Sequence, residues 1–248
     1  MSDRILRHPF QIPVDAINTG ELLNRVIGWA KTSHPRFITY LNAHCINICF
    51  RDPAYLEIVR SSDLVYADGQ AVVWASRFLK SPLPERVNAG DFFLRFCRLC
   101  SSEDLPVYFL GSYPGVAARA AEHIREKVKG FRIAGARCGF FSPDEIPAIT
   151  SEIKESGAAI ILVGMGVPLQ EKFAYQHFRE WNVPVTWCVG ALFEYYAGLT
   201  PRAPVWIRKA GMEWLFRLLC EPRRLWRRYI PGNLSFIYKT LRFRLTGK

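Results

Sequence analysis

The chain has 248 residues, half of them hydrophobic, with mean hydropathy near zero and a formal net charge of +11. That length allows one large α/β domain, or a domain of about 200 residues with an appendage, and the composition supplies a sizeable core. No run of 18 or more apolar residues occurs and the opening MSDRILRHPF lacks a leader's apolar stretch, so neither a spanning helix nor a secretory leader is expected and the protein reads as cytosolic.

Seven cysteines, an odd number scattered through apolar segments, read as reduced thiols rather than a disulfide framework. The positive charge is unevenly placed. Residues 202–248 hold 12 of the 33 Lys and Arg but only 2 of the 22 Asp and Glu, which is +10 of the net +11. A uniformly basic nucleic-acid binder does not look like this, and no nucleic-acid partner is expected.

In chain order, short apolar runs alternate with amphipathic stretches. Strands are predicted at 37–42, 63–69, 106–112, 131–136, 158–166 and 184–190, and helices at 44–60, 70–80, 89–102, 114–129, 144–156 and 168–181. Strand–helix alternation with Gly at strand ends predicts an α/β fold: a Rossmann-like, mostly parallel sheet with helices on both faces, over residues 1–204. The prolines of TPRAP (200–204) end that pattern. Residues 205–248 read as a helical, basic and aromatic appendage. In it Met212, Leu215, Phe216 and Leu219 share one helical face, Pro222 interrupts, and Pro231-Gly232 ends the next helix before a final segment at 236–245.

Ligands of open parallel sheets bind beyond the carboxyl ends of the strands, so strand-end residues are the first candidates. Asp68 in YADGQ either caps the helix that starts at Gln70 or accepts a proton from a hydroxyl; position alone leaves both open. The Gly-rich turns GSYPG, with Gly111 and Ser112, and GMGVPLQEK, with Gly164, Gly166 and Gln170, can cradle a phosphate at a helix start. Asn42, His44 and Glu194 stand at other strand ends, and Arg86 lies in a loop between two helices. The pairs Cys45/Cys49 and Cys97/Cys100 have helical spacing and lack a second ligand pair, and no D-x-D element stands at a strand end. No metal is therefore expected. Without one, departure of a nucleoside diphosphate needs arginines and helix N-termini to stabilise its charge. A nucleotide-dependent oxidoreductase is the competing enzyme class, against which stands an incomplete dinucleotide fingerprint. A non-catalytic basic protein at a membrane or on nucleic acid is the other.

The stretches YLNAH (40–44), SSDLVYADGQAVVWASR (61–77), LPERVNAGD (83–91), FLGSYPGVAARAA (109–121), LVGMGVPLQEKF (162–173), YAGLTPRAPVWI (196–207) and GMEWLFRLLCEPRRLWRRY (211–229) together carry a resemblance. In their order and spacing the chain resembles the WecG/TagA/CpsF family of bacterial glycosyltransferases over about residues 35–232. The resemblance implies a GT-E type fold whose C-terminal appendage associates with an anionic membrane surface, at the cytoplasmic face of the inner membrane. It implies an inverting transfer from a UDP-sugar to a sugar carried on undecaprenyl diphosphate, and with no metal or other cofactor expected from the residues the transfer reads as metal-independent. By the same resemblance Asp68 is the base, Arg86 and Gln170 serve the site, and Arg217, Arg224 and Arg227 close over the diphosphate. Several positions around the implied pockets depart from the common pattern: Tyr40 precedes Leu41-Asn42 with Thr39 one place earlier, and His44, Leu169 and Glu194 replace the usual residues. They leave the sugars open, as the sequence leaves open a homo-oligomer.

Overall fold

The computed structural model describes residues 6–247. Six strands form one wholly parallel sheet: β3 (Arg36–Leu41), β4 (Leu64–Ala67), β5 (Val107–Gly111), β6 (Ile133–Arg137), β7 (Ile160–Gly164) and β8 (Val185–Cys188), in the spatial order β4-β3-β8-β7-β5-β6. Ahead of it β1 (Leu6–Arg7) and β2 (Val14–Asp15) pair antiparallel. Strand by strand, alternate side chains enter two separate cores. Val107, Phe109, Ile160, Leu162 and Trp187 face one, while Tyr108, Leu110, Ile161, Val163 and Cys188 face the other. Burial on both faces is why the strands read as unbroken apolar runs, the habit of parallel sheets.

Helix α1 (Thr19–Ala30) precedes the parallel sheet, and the crossover helices are α2 (Ala43–Cys49), α3 (Pro53–Ser61), α4 (Gln70–Phe78), α5 (Ala89–Ser102), α6 (Val116–Lys127), α7 (Ile146–Glu155) and α8 (Leu169–Trp181). Most lie within a few residues of their predicted bounds. The single helix predicted over 44–60 is instead two. Pro53 cannot donate an amide and pushes Asp52 out of the helical region, and the Asp52 side chain then caps α3 by accepting from Tyr55 N at 3.0 Å. Helix α1 was not predicted, although Asn18 and Glu21 form a reciprocal capping box at its start and Leu22, Leu23, Val26 and Ile27 bury one face.

After β8 come α9 (Leu192–Tyr196), α10 (Val205–Lys209), α11 (Glu213–Cys220) and α12 (Pro222–Thr246). Pro222 does separate two helices, but Pro231 does not end α12, which continues for another fifteen residues. A mid-helix proline removes one backbone bond, a cost of about 3 kcal/mol. Packing on the core offsets that loss. Asn47 Nδ2 donates to Gly232 O at 2.7 Å, Lys239 Nζ donates to Asn47 Oδ1 at 2.8 Å, and Phe10 meets Phe236 and Phe243 at ring distances of 5.5 and 5.6 Å. Among the described residues no helix is long and apolar enough to cross a membrane.

Candidate active site

The carboxyl ends of all six parallel strands open into one cavity of about 1460 Å³, and α11 and α12 form its roof. Ligand pockets commonly span about 300–1,000 Å³, so there is room for two sugars and a diphosphate together. The register of the sheet sets the floor. Leu41 pairs with Ala67, so the next residues, Asn42 and Asp68, leave the sheet side by side, with Asp68 N bonded to Leu41 O at 2.9 Å. A Cβ at Gly69 would sit 2.9 Å from Asn42 Cβ, so the turn that presents Asp68 requires glycine.

The Asp68 carboxylate caps no helix. Gly69 occupies the cap position of α4, with no side-chain bond, while Asp68 Oδ1 accepts from Asn88 Nδ2 at 2.8 Å. Asn88 Oδ1 in turn accepts from Arg202 Nη2 at 3.1 Å, which fixes which end of the amide faces Asp68. Burial pushes the Asp68 carboxyl up to about 6; Arg86 and the bonds from Asn42 and Asn88 oppose the rise, and Glu213 adds to it. Relative to water, that favours the neutral acid by roughly 3 kcal/mol. Asp68 is therefore ionised at pH 7 yet far more basic than a free carboxylate.

Arg86 also lines the cavity, but both its terminal nitrogens are occupied. Nη1 donates to Glu213 Oε2 at 2.9 Å and Nη2 to Asp91 Oδ2 at 2.5 Å. Asp91 also receives Arg202 Nη2 at 2.8 Å and Arg208.

From the roof, Arg217, Arg224 and Arg228 reach the cavity. The Arg217 guanidinium lies 5.4 Å from the ring centre of Tyr195, and Arg224 Nε is 2.5 Å from Glu221. Arg227 is placed otherwise than expected: it is exposed, its guanidinium over the Trp226 ring at 5.5 Å, and it is absent from the cavity wall. Arg228, four residues after Arg224 and so on the same helical face, stands in the wall instead. Nε of both Arg217 and Arg228 is shielded from solvent without a hydrogen-bond partner. A buried donor left unpaired costs about 1–3 kcal/mol, which an anion in the cavity would recover.

The remaining expected residues divide into wall and foundation. Tyr40, Asn42, His44, Ser112, Gly164, Gly166 and Glu194 line the cavity. Asn42 Oδ1 caps α2 by accepting from His44 N and Cys45 N at 3.0 and 3.1 Å. Burial, with Arg228 and Arg51, lowers His44 to about 4, leaving it neutral at pH 7. Glu194 accepts from Ser112 Oγ at 3.1 Å, and its other oxygen is buried and unpaired.

Thr39, Gly111 and Gln170 are buried behind this wall rather than in it. A side chain at Gly111 would meet Gly164 O at 2.3 Å, so glycine permits the close approach of β5 and β7. Gln170 Oε1 accepts from Gly190 N at 3.0 Å and its amide donates to Glu171 at 2.7 Å; Thr39 Oγ1 donates to the same carboxyl at 3.2 Å. These three therefore hold the loop after β8 and the packing of the floor. Both cysteine pairs are buried in the core, where burial pushes the Cys45 thiol up to about 12. Among the described residues no group of three or more His, Cys, Asp or Glu is placed to hold a metal ion. Asn88, Arg202, Glu213 and Arg228 belong to the site and carried no local signal that marked them.

Fold and site together define an α/β protein with a strand-end acid under an arginine-bearing roof, suited to a large anionic ligand. The sequence model of the glycosyl transferase WecG/TagA/CpsF family matches residues 7–248, nearly the whole chain, including the roof. The chain belongs to that family and is a glycosyltransferase of cell-surface polysaccharide synthesis.

Proposed function

We propose that the protein transfers a hexose or N-acetylhexosamine-type sugar from a UDP-sugar to a sugar on undecaprenyl diphosphate, with inversion and without a metal. Asp68 takes the proton of the acceptor hydroxyl while that oxygen bonds the donor's anomeric carbon from the face opposite UDP. The bond from that carbon to the diphosphate oxygen breaks, and its electron pair leaves with UDP. Arg217, Arg224 and Arg228 meet the developing charge, an electrostatic contribution that needs no proton bookkeeping. The observation that carries this reading is that Asp68 and these arginines face one cavity from opposite sides. A base whose pKa lies near 6 is ionised at neutral pH and strong enough to accept a proton in the transition state.

The acceptor's lipid places the work at the cytoplasmic face of the bacterial inner membrane, with the protein bound peripherally. What supports this is the side of α10–α12 away from the cavity, where Trp206, Leu219, Trp226, Tyr238 and Leu245 are exposed on a segment rich in arginines. Indole rings favour the headgroup zone, and each basic residue near an anionic leaflet contributes about 1 kcal/mol.

The test is to incubate the full chain, with EDTA present, with a panel of UDP-sugars and a short-chain lipid-diphosphate sugar, and read the product anomer by NMR. One UDP-sugar is expected to give a disaccharide of inverted configuration. Retention of configuration, or product only after magnesium or manganese is restored, contradicts the proposal.

A further inference from the structure

Arg86 and Asp68 line the same cavity, and the Arg86 charge acts on the Asp68 carboxyl without a direct bond between them. Instead two carboxylates claim Arg86: Glu213 of α11 at 2.9 Å and Asp91 of α5 at 2.5 Å. Arg86 and Glu213 are each 13% exposed, so this contact is shielded from solvent and is not the weak pair of an open surface. Of the three residues only Glu213 belongs to the roof. A second line reaches the same acid, for Arg202 bonds both Asp91 and Asn88, and Asn88 bonds Asp68.

We propose that Glu213 is a positioning residue that couples seating of the α11–α12 roof to proton acceptance at Asp68, by holding the Arg86 guanidinium in a bridge to Asp91. With the roof seated, Arg86 faces Glu213 alone on one side and, on the other, Asp91, which Arg202 and Arg208 share. With the roof displaced, Arg86 loses Glu213, keeps a positive charge to spend, and turns it on the acid. Asp68 is then held as a paired and weakly basic ion. The base therefore works best only when the arginines that receive the leaving group are overhead. The other groups facing Asp68 are Asn42, Asn88, Tyr40, Tyr66 and Tyr195, and burial raises each tyrosine, so they are neutral at working pH. Behind them Arg202 and Arg208 hold Asp91, and of this cluster only Glu213 belongs to α11 and α12.

This inference rests on Asp68 being the base. Its test is the pH dependence of kcat/KM for the full chain with donor and lipid-linked acceptor. The base must be ionised, so in the unaltered protein the rate rises through pH 6 and is level above it. Glu213→Gln removes one negative neighbour and frees Arg86, and both changes lower the pKa of Asp68. The midpoint is expected to fall by about one pH unit. The level rate should fall about threefold to tenfold as the base weakens. Glu213→Asp, which keeps the charge, should restore the midpoint. Asp91→Asn, which frees Arg86 from the core side, should move it in the same direction as Glu213→Gln. An unmoved midpoint in both Glu213→Gln and Asp91→Asn, beside a normal rise in the unaltered protein, overturns the coupling alone. No rise through pH 6 in the unaltered protein overturns the base and the coupling with it.

Discussion

Asp68 and the roof arginines face the same space but are held there in different ways. Asp68 is fixed by the sheet: the pairing of Leu41 with Ala67, the tight turn at Gly69 and the amides of Asn42 and Asn88 leave it little freedom. Arg217, Arg224 and Arg228 hang from helices that reach the core through side-chain contacts, chiefly Asn47 with Gly232, Phe10 with Phe236, and Arg86 with Glu213. The floor is set by backbone hydrogen bonds and the roof by packing and charge. A floor of this kind keeps the base in place whether or not substrate is bound. A roof of this kind is held by fewer and more separable contacts than the floor.

The division between inward and outward roof residues can be broken by substitution. Arg217→Ala, Arg224→Ala and Arg228→Ala each remove a donor facing the leaving group, and each should lower kcat by about a hundredfold. Steady-state kinetics with a detergent-dispersed acceptor would show this. A smaller effect of another kind is expected outside the cavity. Arg227→Ala and Trp226→Ala should leave kcat on dispersed acceptor within about twofold. Each should weaken partition onto vesicles containing anionic lipid by about fivefold, the equivalent of 1 kcal/mol, more so at low salt. If Arg227→Ala instead lost as much turnover as Arg228→Ala, α12 would have to rotate in the working complex, and the inward set would need to be redrawn.

How much was legible in the sequence follows the same division. Five of the six strands stood out because both faces are buried, while β6, at the sheet edge, is half-buried throughout; Asp68 stood out because it follows one of the buried strands. Helix α1 has a capping box and a clear apolar face, so its omission was a missed signal rather than an absent one. The split at Pro53 was likewise available from the restriction a proline puts on the residue before it. Other features depend on contacts distant in sequence. Nothing near position 213 indicates that Glu213 meets Arg86, 127 residues earlier. Arg227 and Arg228 are adjacent, and only the seating of α12 against α2 determines which one faces the cavity. Gln170 was expected at a ligand because it opens α8 beside a glycine-rich turn. The fold turns its side chain toward Gly190 and Glu171 instead, where it supports the wall.

The central claim is that the strand-end acid removes the acceptor's proton beneath the arginines. Asp68→Asn tests it with minimal change of shape, because an amide can still meet Asn42 while losing the power to accept a proton. Turnover should fall by a factor of about a hundred to ten thousand, while UDP-sugar affinity measured by calorimetry stays within about threefold. Turnover close to that of the unaltered protein would contradict the account.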